Sequence, residues 1–437
     1  MKISIIIPSK NNARYLKWSI PSIRKNSYYK NHEIIIFIDQ DNDNTLKWIV
    51  ENKEKYNLKY IINPTSQLFG IGRCYDSCVF YAENDIIMAF HADMWAGKDW
   101  DFHSLKYLKE NSIVALTRIE PPLHPEQPCK IVKDFGMWPE KNIEQGFKEE
   151  ELEKFIEEQK IINKDRYTHG IFAPWIINKK TYIEMGGHDY IFHSAREDSD
   201  FFNRCKLNGM DIIQSWESFV YHLTQRGGRL EYSLTKNSSD WEELMLRSSR
   251  EYTRKWQSFI HNDEYMMPII FPIYNRGLII NGNINENVLQ LVEPFFTNIY
   301  LEETDENNKT LIKYVGKGGI LDSDILEFND GEWSKQRKRE IHEKIRMCNI
   351  NVINEMTKFN DMCVVMSADD DILSYVSWFG FFDILNQTIK EQNIQKGIYE
   401  FGKLKIIINV VRDSSKLLIK NPNPVWLNTE TIPPLIY

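Results

Sequence analysis

The stretch Asp85-Ile-Ile-Met-Ala-Phe-His-Ala-Asp-Met-Trp95 places titratable side chains at the end of an apolar run. Residues 86–90 carry no polar break, as in a strand buried on both faces of a parallel sheet, and the run stops at His91-Ala92-Asp93. Strand alternation puts His91 and Asp93 on one side and Ala92 on the other. A carboxylate and an imidazole at the carboxyl end of a central strand sit where open α/β sheets bind ligands. That ligand pair suits a divalent cation, Mn²⁺ or Mg²⁺, bridging phosphates. The plainer alternative is an Asp that only caps the following turn.

Other groups of the same kind recur along the chain. A second apolar strand ends at Asp39, with Asp41 and Asp43 in the loop behind it. Arg196-Glu-Asp-Ser-Asp-Phe-Phe-Asn-Arg204 opens a helix with three acids, which the helix dipole favours whatever their chemistry. Phe219-Val-Tyr-His222 ends a short strand in an imidazole, and Gln225-Arg-Gly-Gly-Arg229 follows. Two glycines flanked by guanidiniums fit a loop closing over a diphosphate, and equally an ordinary turn.

The elements that must position these groups alternate regularly. Apolar runs at 2–8, 32–39 and 58–62 read as strands, and the spacing predicts helices over about 13–23, 45–56 and 73–83. With the strand before His91 this is β-α-β-α-β-α-β, a doubly wound, mostly parallel α/β sheet. Further on, the pattern predicts a helix over 97–110 and a strand over 113–117. A long loop at 118–142 holds five prolines, an acidic helix spans 144–159, and Gly186-Gly187-His188-Asp189 makes a tight turn.

Composition narrows the partners. A chain of 437 residues is too long for one core and predicts two or three domains. A net charge of −8 speaks against a nucleic-acid binder held by phosphate contacts. Six cysteines without metal-type pairing read as reduced thiols of a cytoplasmic protein. The N-terminus enters a strand at once, unlike a cleaved signal. No apolar run approaches the ~20 residues of a membrane helix, which leaves a role peripheral to a membrane, on lipid-linked acceptors, open.

The order Ile-Ile-Ile-Pro-Ser-x-Asn, then Ile-Asp-x-x-x-Asp-Asn-Thr, then a buried strand ending x-Ala-Asp resembles the inverting family-2 glycosyltransferases of the GT-A fold. Gly-Gly-x-Asp followed by Glu-Asp-x-Asp-x-x-x-Arg strengthens the likeness. The sequence departs from the family's Asp-x-Asp in carrying His91 at the first acid, and its loop after Asp39 is one residue shorter. The resemblance implies a nucleotide-sugar donor held by Pro8, Ser9, Asn11, Asp39, Arg73, His91, Ala92, Arg226 and Arg229. It implies a cation on Asp93 and His222 with His91 beside them, Asp198 as general base, and Glu197 orienting the acceptor. Trp95, His169 and Trp175 are the candidate acceptor contacts, with Trp138 a further stacking candidate. The acceptor would be a glycan, a lipid-linked group or a protein.

The opening pattern returns in the last third. Ile269-Ile-Phe-Pro-Ile-Tyr-Asn275 parallels residues 5–11, and Asn360-Asp-Met-Cys-Val-Val-Met-Ser-Ala-Asp-Asp370 matches 84–94 without a gap, setting Asp369 on Asp93. This predicts a catalytic domain over 1–262 and, over 263–437, a smaller α/β domain resembling the N-terminal half of GT-A. Two other functions fit less of the pattern. A sugar-nucleotidyltransferase would want a glycine-rich loop where Ser9-Lys-Asn-Asn-Ala13 has none. An inactive nucleotide-sugar binder would explain His91 and the incomplete second copy.

Overall fold

The computed structural model describes residues 1–137, 146–192, 195–224, 226, 238–319, 332–368, 385–389, 391–401 and 403–412. They fall into two compact units. The first holds Met1–Trp241 and His261–Ile269, the second Glu242–Ile260 and the described residues from Ile270 onward. The chain therefore changes unit near 241, 260 and 269, around the single divide expected at 262.

The first unit begins as the apolar runs predict. β1 (Ser4–Lys10), α1 (Ala13–Asn26), β2 (Glu33–Gln40), α2 (Thr45–Tyr56), β3 (Leu58–Ile62), α3 (Ile71–Tyr81) and β4 (Ile86–Ala89) alternate. β1 pairs in parallel with β2 and β4, and β2 with β3. Isoleucines of β1 and β2 are fully buried because helices cover both faces of the sheet.

The next elements differ from expectation in instructive ways. β5 (Met94–Ala96) takes the residues after Asp93, so the helix expected over 97–110 shrinks to α4 (Trp100–Leu105). β6 (Ser112–Glu120) runs three residues past the expected strand end and is buried throughout. Part of the proline-rich stretch forms β7 (Lys130–Val132) beside it. Then follow α5 (Glu149–Ile162), β8 (Tyr167–His169), β9 (Trp175–Asn178), α6 (Lys179–Glu184), α7 (Glu197–Leu207) and β10 (Asp211–His222). The strand order is β3-β2-β1-β4-β9-β6-β10-β5, with β7 on β6 and β8 on β10. β9 is antiparallel to both β4 and β6, so the sheet is mixed but mostly parallel.

α8 (Ser238–Trp256) lies mostly in the second unit, which continues β11 (Arg276–Asn281), α9 (Glu286–Val292), β12 (Asn298–Glu302), α10 (Asp305–Gly316), α11 (Glu332–Lys344), β13 (Ile345–Cys348), α12 (Ile350–Met356), β14 (Met362–Ser367), β15 (Gly397–Phe401) and β16 (Leu404–Ile408). Its sheet runs β13-β12-β11-β14-β16-β15, with β16 antiparallel to β14. A first strand flanked by the second and fourth, with an antiparallel strand beyond the fourth, occurs in both sheets. The first strand is nevertheless Arg276–Asn281 and not 269–275, where Pro268 and Pro272 leave only three residues between them. Asp369 lies outside the described residues. Among the described residues, no helix is long and apolar enough to cross a membrane.

Candidate functional site

Three strand ends meet at one point because β5 folds back onto β10. The antiparallel register sets Met94 opposite His222 and Trp95 opposite Tyr221. The Leu223 amide donates to the Asp93 carbonyl at 3.1 Å. Asp93 and His222 are thereby neighbours although β4 and β10 are three places apart in the sheet. One ligand atom each of His91, Asp93 and His222 lies within 4.8 Å of the others. His222 Nε2 is 3.5 Å from Asp93 Oδ1, and the two imidazole centroids are 5.7 Å apart.

Behind His222 stands a group that motif reading missed. Glu120 Oε1 lies 3.2 Å from His222 Nδ1. The same carboxylate accepts from Arg118 at 2.8 Å and from Lys130 at 2.9 Å, and all three residues are buried. The charges bias one another strongly. Burial works to lower the His222 pKa, but Asp93 and Glu120 outweigh it and hold the imidazole up at about 9. Burial and the nearby His222 push His91 down to about 4. Asp93 stays below the usual carboxylate range despite burial, because His222 and His91 face it.

The acids of α7 act on the same groups. The Asp198 charge acts on His91, and Glu197, Asp198 and Asp93 together act on the buried Tyr75 of α3, so one field joins all these groups. Gly72 permits the approach. A Cβ there would stand 2.8 Å from His188 Cβ and 3.5 Å from Glu197 Cβ, so any larger residue would push the His188 turn away from α3 and crowd the start of α7. The Gly-Gly-His-Asp turn is held by Asp76, which accepts from the Tyr182 hydroxyl and from the His188 amide at 3.2 Å. Arg204 donates to Asp200 at 2.9 Å and to the Gly187 carbonyl at 2.6 Å. The third acid of the motif and its arginine thus fasten the turn to α7. Ala195 and Arg196, just before α7, both have left-handed backbone, with φ of 70° and 75°. Strain of that kind in non-glycine residues persists only where the surroundings over-determine it, as they commonly do at functional sites.

On the donor side, Pro8 and Ser9 end β1 beside Phe37 and Ile38 of β2. Ser9 Oγ is buried and makes no hydrogen bond among the described residues. Asp39 Oδ1 accepts from Asn63 at 2.7 Å and from the Phe69 amide at 2.8 Å, while Oδ2 takes the Gly70 amide at 3.1 Å. Asp41 and Asp43 cap α2 through the Thr45 and Leu46 amides. Asn11 is spent on the loop, its Oδ1 accepting from the Asn42 amide at 2.6 Å. Arg73 stacks over Phe69, 3.7 Å from the ring centre, and feels the Asp39 charge. Arg226 is buried, and its charge acts with that of Asp93 on Tyr15. Ala92 packs into the apolar core, so only its backbone can meet a ligand. Arg229 and Trp138 lie outside the described residues.

Of the three expected acceptor contacts, Trp95 and Trp175 are buried and His169 is exposed. Trp175 is 2% exposed and stacks on Phe201 at 5.5 Å, a core residue of β9. Trp95 is buried among Trp18 at 5.4 Å and Phe147 at 4.7 Å. His169 is exposed but pairs with Ile213 at the start of β10, nine residues before His222. β10 bulges by three residues between Ser215 and Phe219, so its register against β6 leaves about six strand steps, on the order of 20 Å at ~3.3 Å each, between His169 and the imidazole cluster.

Comparison with known proteins bears on the same half of the chain. The profile of the family described as Glycosyl transferase family 2 matches residues 4–173, a span that includes Asp39, His91 and Asp93 and ends before Asp198 and His222. Among solved structures, S. aureus TarS matches 58% of this chain and 44% of its own length, at 17% identity and a TM-score of 0.38. S. aureus TarS 1-349 in complex with UDP-GlcNAc matches over 59% of this chain and 73% of that one, at 15% identity and a TM-score of 0.38. The mannosyltransferase PcManGT from Pyrobaculum calidifontis, in complex with GDP-Man and Mn²⁺, gives 58%, 64%, 13% and 0.39 in the same order. The chain spans less than half the length of the first of these, and overlaps this loose assign no residue a role. No curated protein matches the sequence.

Proposed function

We propose that the first unit is a metal-dependent, inverting glycosyltransferase that moves a sugar from a nucleotide diphosphate sugar to an acceptor hydroxyl. The observation that carries this reading is the convergence of His91, Asp93 and His222 within 4.8 Å, with Asp198 close enough to bias His91. The family-2 match over residues 4–173 supports glycosyl transfer as the chemistry.

His91, Asp93 and His222 would hold the cation. Two imidazoles and one carboxylate suit Mn²⁺ better than Mg²⁺, which favours an all-oxygen shell. Bound there, the cation supplies Lewis-acid stabilisation of the diphosphate as it leaves. Arg226 adds positive charge on the side of Tyr15. Ser9 Oγ and Asp39 Oδ2 would meet the base, and an Asp39 acceptor for a ring N–H favours uridine. Asp198 takes the proton of the acceptor hydroxyl while that oxygen attacks the anomeric carbon and the bond to the diphosphate breaks, in one inverting displacement. Glu197 orients the acceptor.

We assign this chemistry to residues 1–262 of a cytoplasmic protein, free or peripheral to a membrane. The second unit we read as a related, shortened copy, on the strength of its matching strand order.

A panel of nucleotide sugars screened by thermal shift tests the reading. One donor should raise the melting temperature with Mn²⁺ present and not without it, since a ligand at 100 times its Kd stabilises by about 2.7 kcal/mol. If no nucleotide sugar shifts the transition with Mn²⁺, the assignment fails. A donor that binds but is never consumed marks the chain as a binder and not an enzyme.

A further inference from the structure

We propose that Glu120 is a positioning residue for the cation site, fixing the His222 ring so that Nε2 faces Asp93 and His91. This rests on the reading above only in taking His91, Asp93 and His222 as cation ligands.

The backbone imposes the pairing. β6 and β10 run parallel with Ile119 opposite Tyr221, so the next residue of each strand, Glu120 and His222, must lie side by side. Their side chains meet at 3.2 Å, through Glu120 Oε1 and His222 Nδ1. An ionised carboxylate only accepts, so the proton in this bond belongs to Nδ1. In the neutral ring the lone pair then sits on Nε2, the atom 3.5 Å from Asp93 Oδ1. A carboxylate behind a liganding imidazole fixes the ring's tautomer and angle and strengthens it as a ligand.

Glu120 is itself held from two sides. Arg118 donates to Oε1 at 2.8 Å while its guanidinium lies 3.6 Å from the centre of the Phe172 ring, and Lys130 donates to Oε2 at 2.9 Å. The carboxylate is 2% exposed, so solvent does not loosen the arrangement. Glu120 in turn offsets the charges of Arg118 and Lys130.

The experiment is a Mn²⁺ titration of the full chain without donor, followed by electron paramagnetic resonance of the free ion, alongside thermal unfolding in chelator. Glu120→Gln keeps the shape, removes the charge and lets the amide offer an N–H to Nδ1. Its Mn²⁺ Kd should rise about 10–100-fold, the usual cost of losing such a partner. In a His222→Ala background the same substitution should add almost nothing, because its effect passes through that ring. A merely structural Glu120 would lower the melting temperature and leave the Kd within twofold of wild type, which overturns the proposal. So would a full effect persisting without His222. Should Glu120→Gln not fold, Glu120→Asp keeps the charge for Arg118 and Lys130 but withdraws the carboxylate from Nδ1. An unchanged Kd in that variant overturns the proposal equally. Wild-type protein that binds no Mn²⁺ overturns the cation reading and this inference together, whereas wild-type binding with unaffected variants overturns this inference alone.

Discussion

Asp198→Asn should lower turnover by about 10²–10⁴ while donor affinity stays within a few-fold of wild type, because a general base acts on the acceptor and not on the donor. The substitution is the discriminating one on structural grounds. Asp198 Oδ1 accepts from the Ser199 amide at 2.6 Å at the start of α7, and an amide oxygen can keep that contact. What disappears is the capacity to take a proton. Donor affinity from a Mn²⁺-containing binding assay, set against the rate of sugar transfer, separates the two effects. A variant retaining more than about a tenth of the wild-type rate would show that another group removes the proton. Glu197, its buried neighbour, would be the first candidate.

Asp93→Asn should be as damaging by a different route. The carboxylate is the one anionic member of the His91, Asp93, His222 set, and it faces an imidazole held up at about 9. Without it the cation loses its charged ligand, and the leaving diphosphate loses Lewis-acid stabilisation worth several kcal/mol. At about 1.4 kcal/mol per factor of ten, the rate should fall on the order of 10³-fold. In contrast to Asp198→Asn, the Mn²⁺-dependent stabilisation by donor should vanish as well. Thermal shift with and without Mn²⁺, run beside the transfer assay, reads both losses. Donor binding that still responds to Mn²⁺ in this variant would place the ion elsewhere.

The contrast between what the residues announced and what they concealed has physical causes. His91 and Asp93 were legible because a strand buried on both faces reads as an unbroken apolar run, and its end is marked by the first polar residues. His222 was legible for the same reason. Their meeting was not, because it depends on β5 pairing back onto β10, a contact across more than a hundred residues of chain that three residues of strand barely signal.

Glu120 was hidden by its own neutralisation. Arg118 and Glu120 look like the start of a polar loop, yet each satisfies the other's charge and both stay buried in β6. The available signal was their spacing: two apart, hence on one side of a strand end. The aromatic candidates failed in the opposite sense. Trp95 and Trp175 sit at strand positions where a stacking platform is plausible, but Phe147 and Phe201, distant in sequence, close over them. In the second unit, Ile269–Asn275 imitates β1 in composition, while the ladder forms one segment later at β11.

The central claim is that one divalent ion sits among residues 91, 93 and 222. Crystals grown with Mn²⁺ and a nucleoside diphosphate, measured at the manganese absorption edge, address it directly. One strong anomalous peak is expected within coordination distance of the His91 and His222 imidazoles and the Asp93 carboxylate. A peak bound elsewhere, or none with the nucleotide in place, would contradict it.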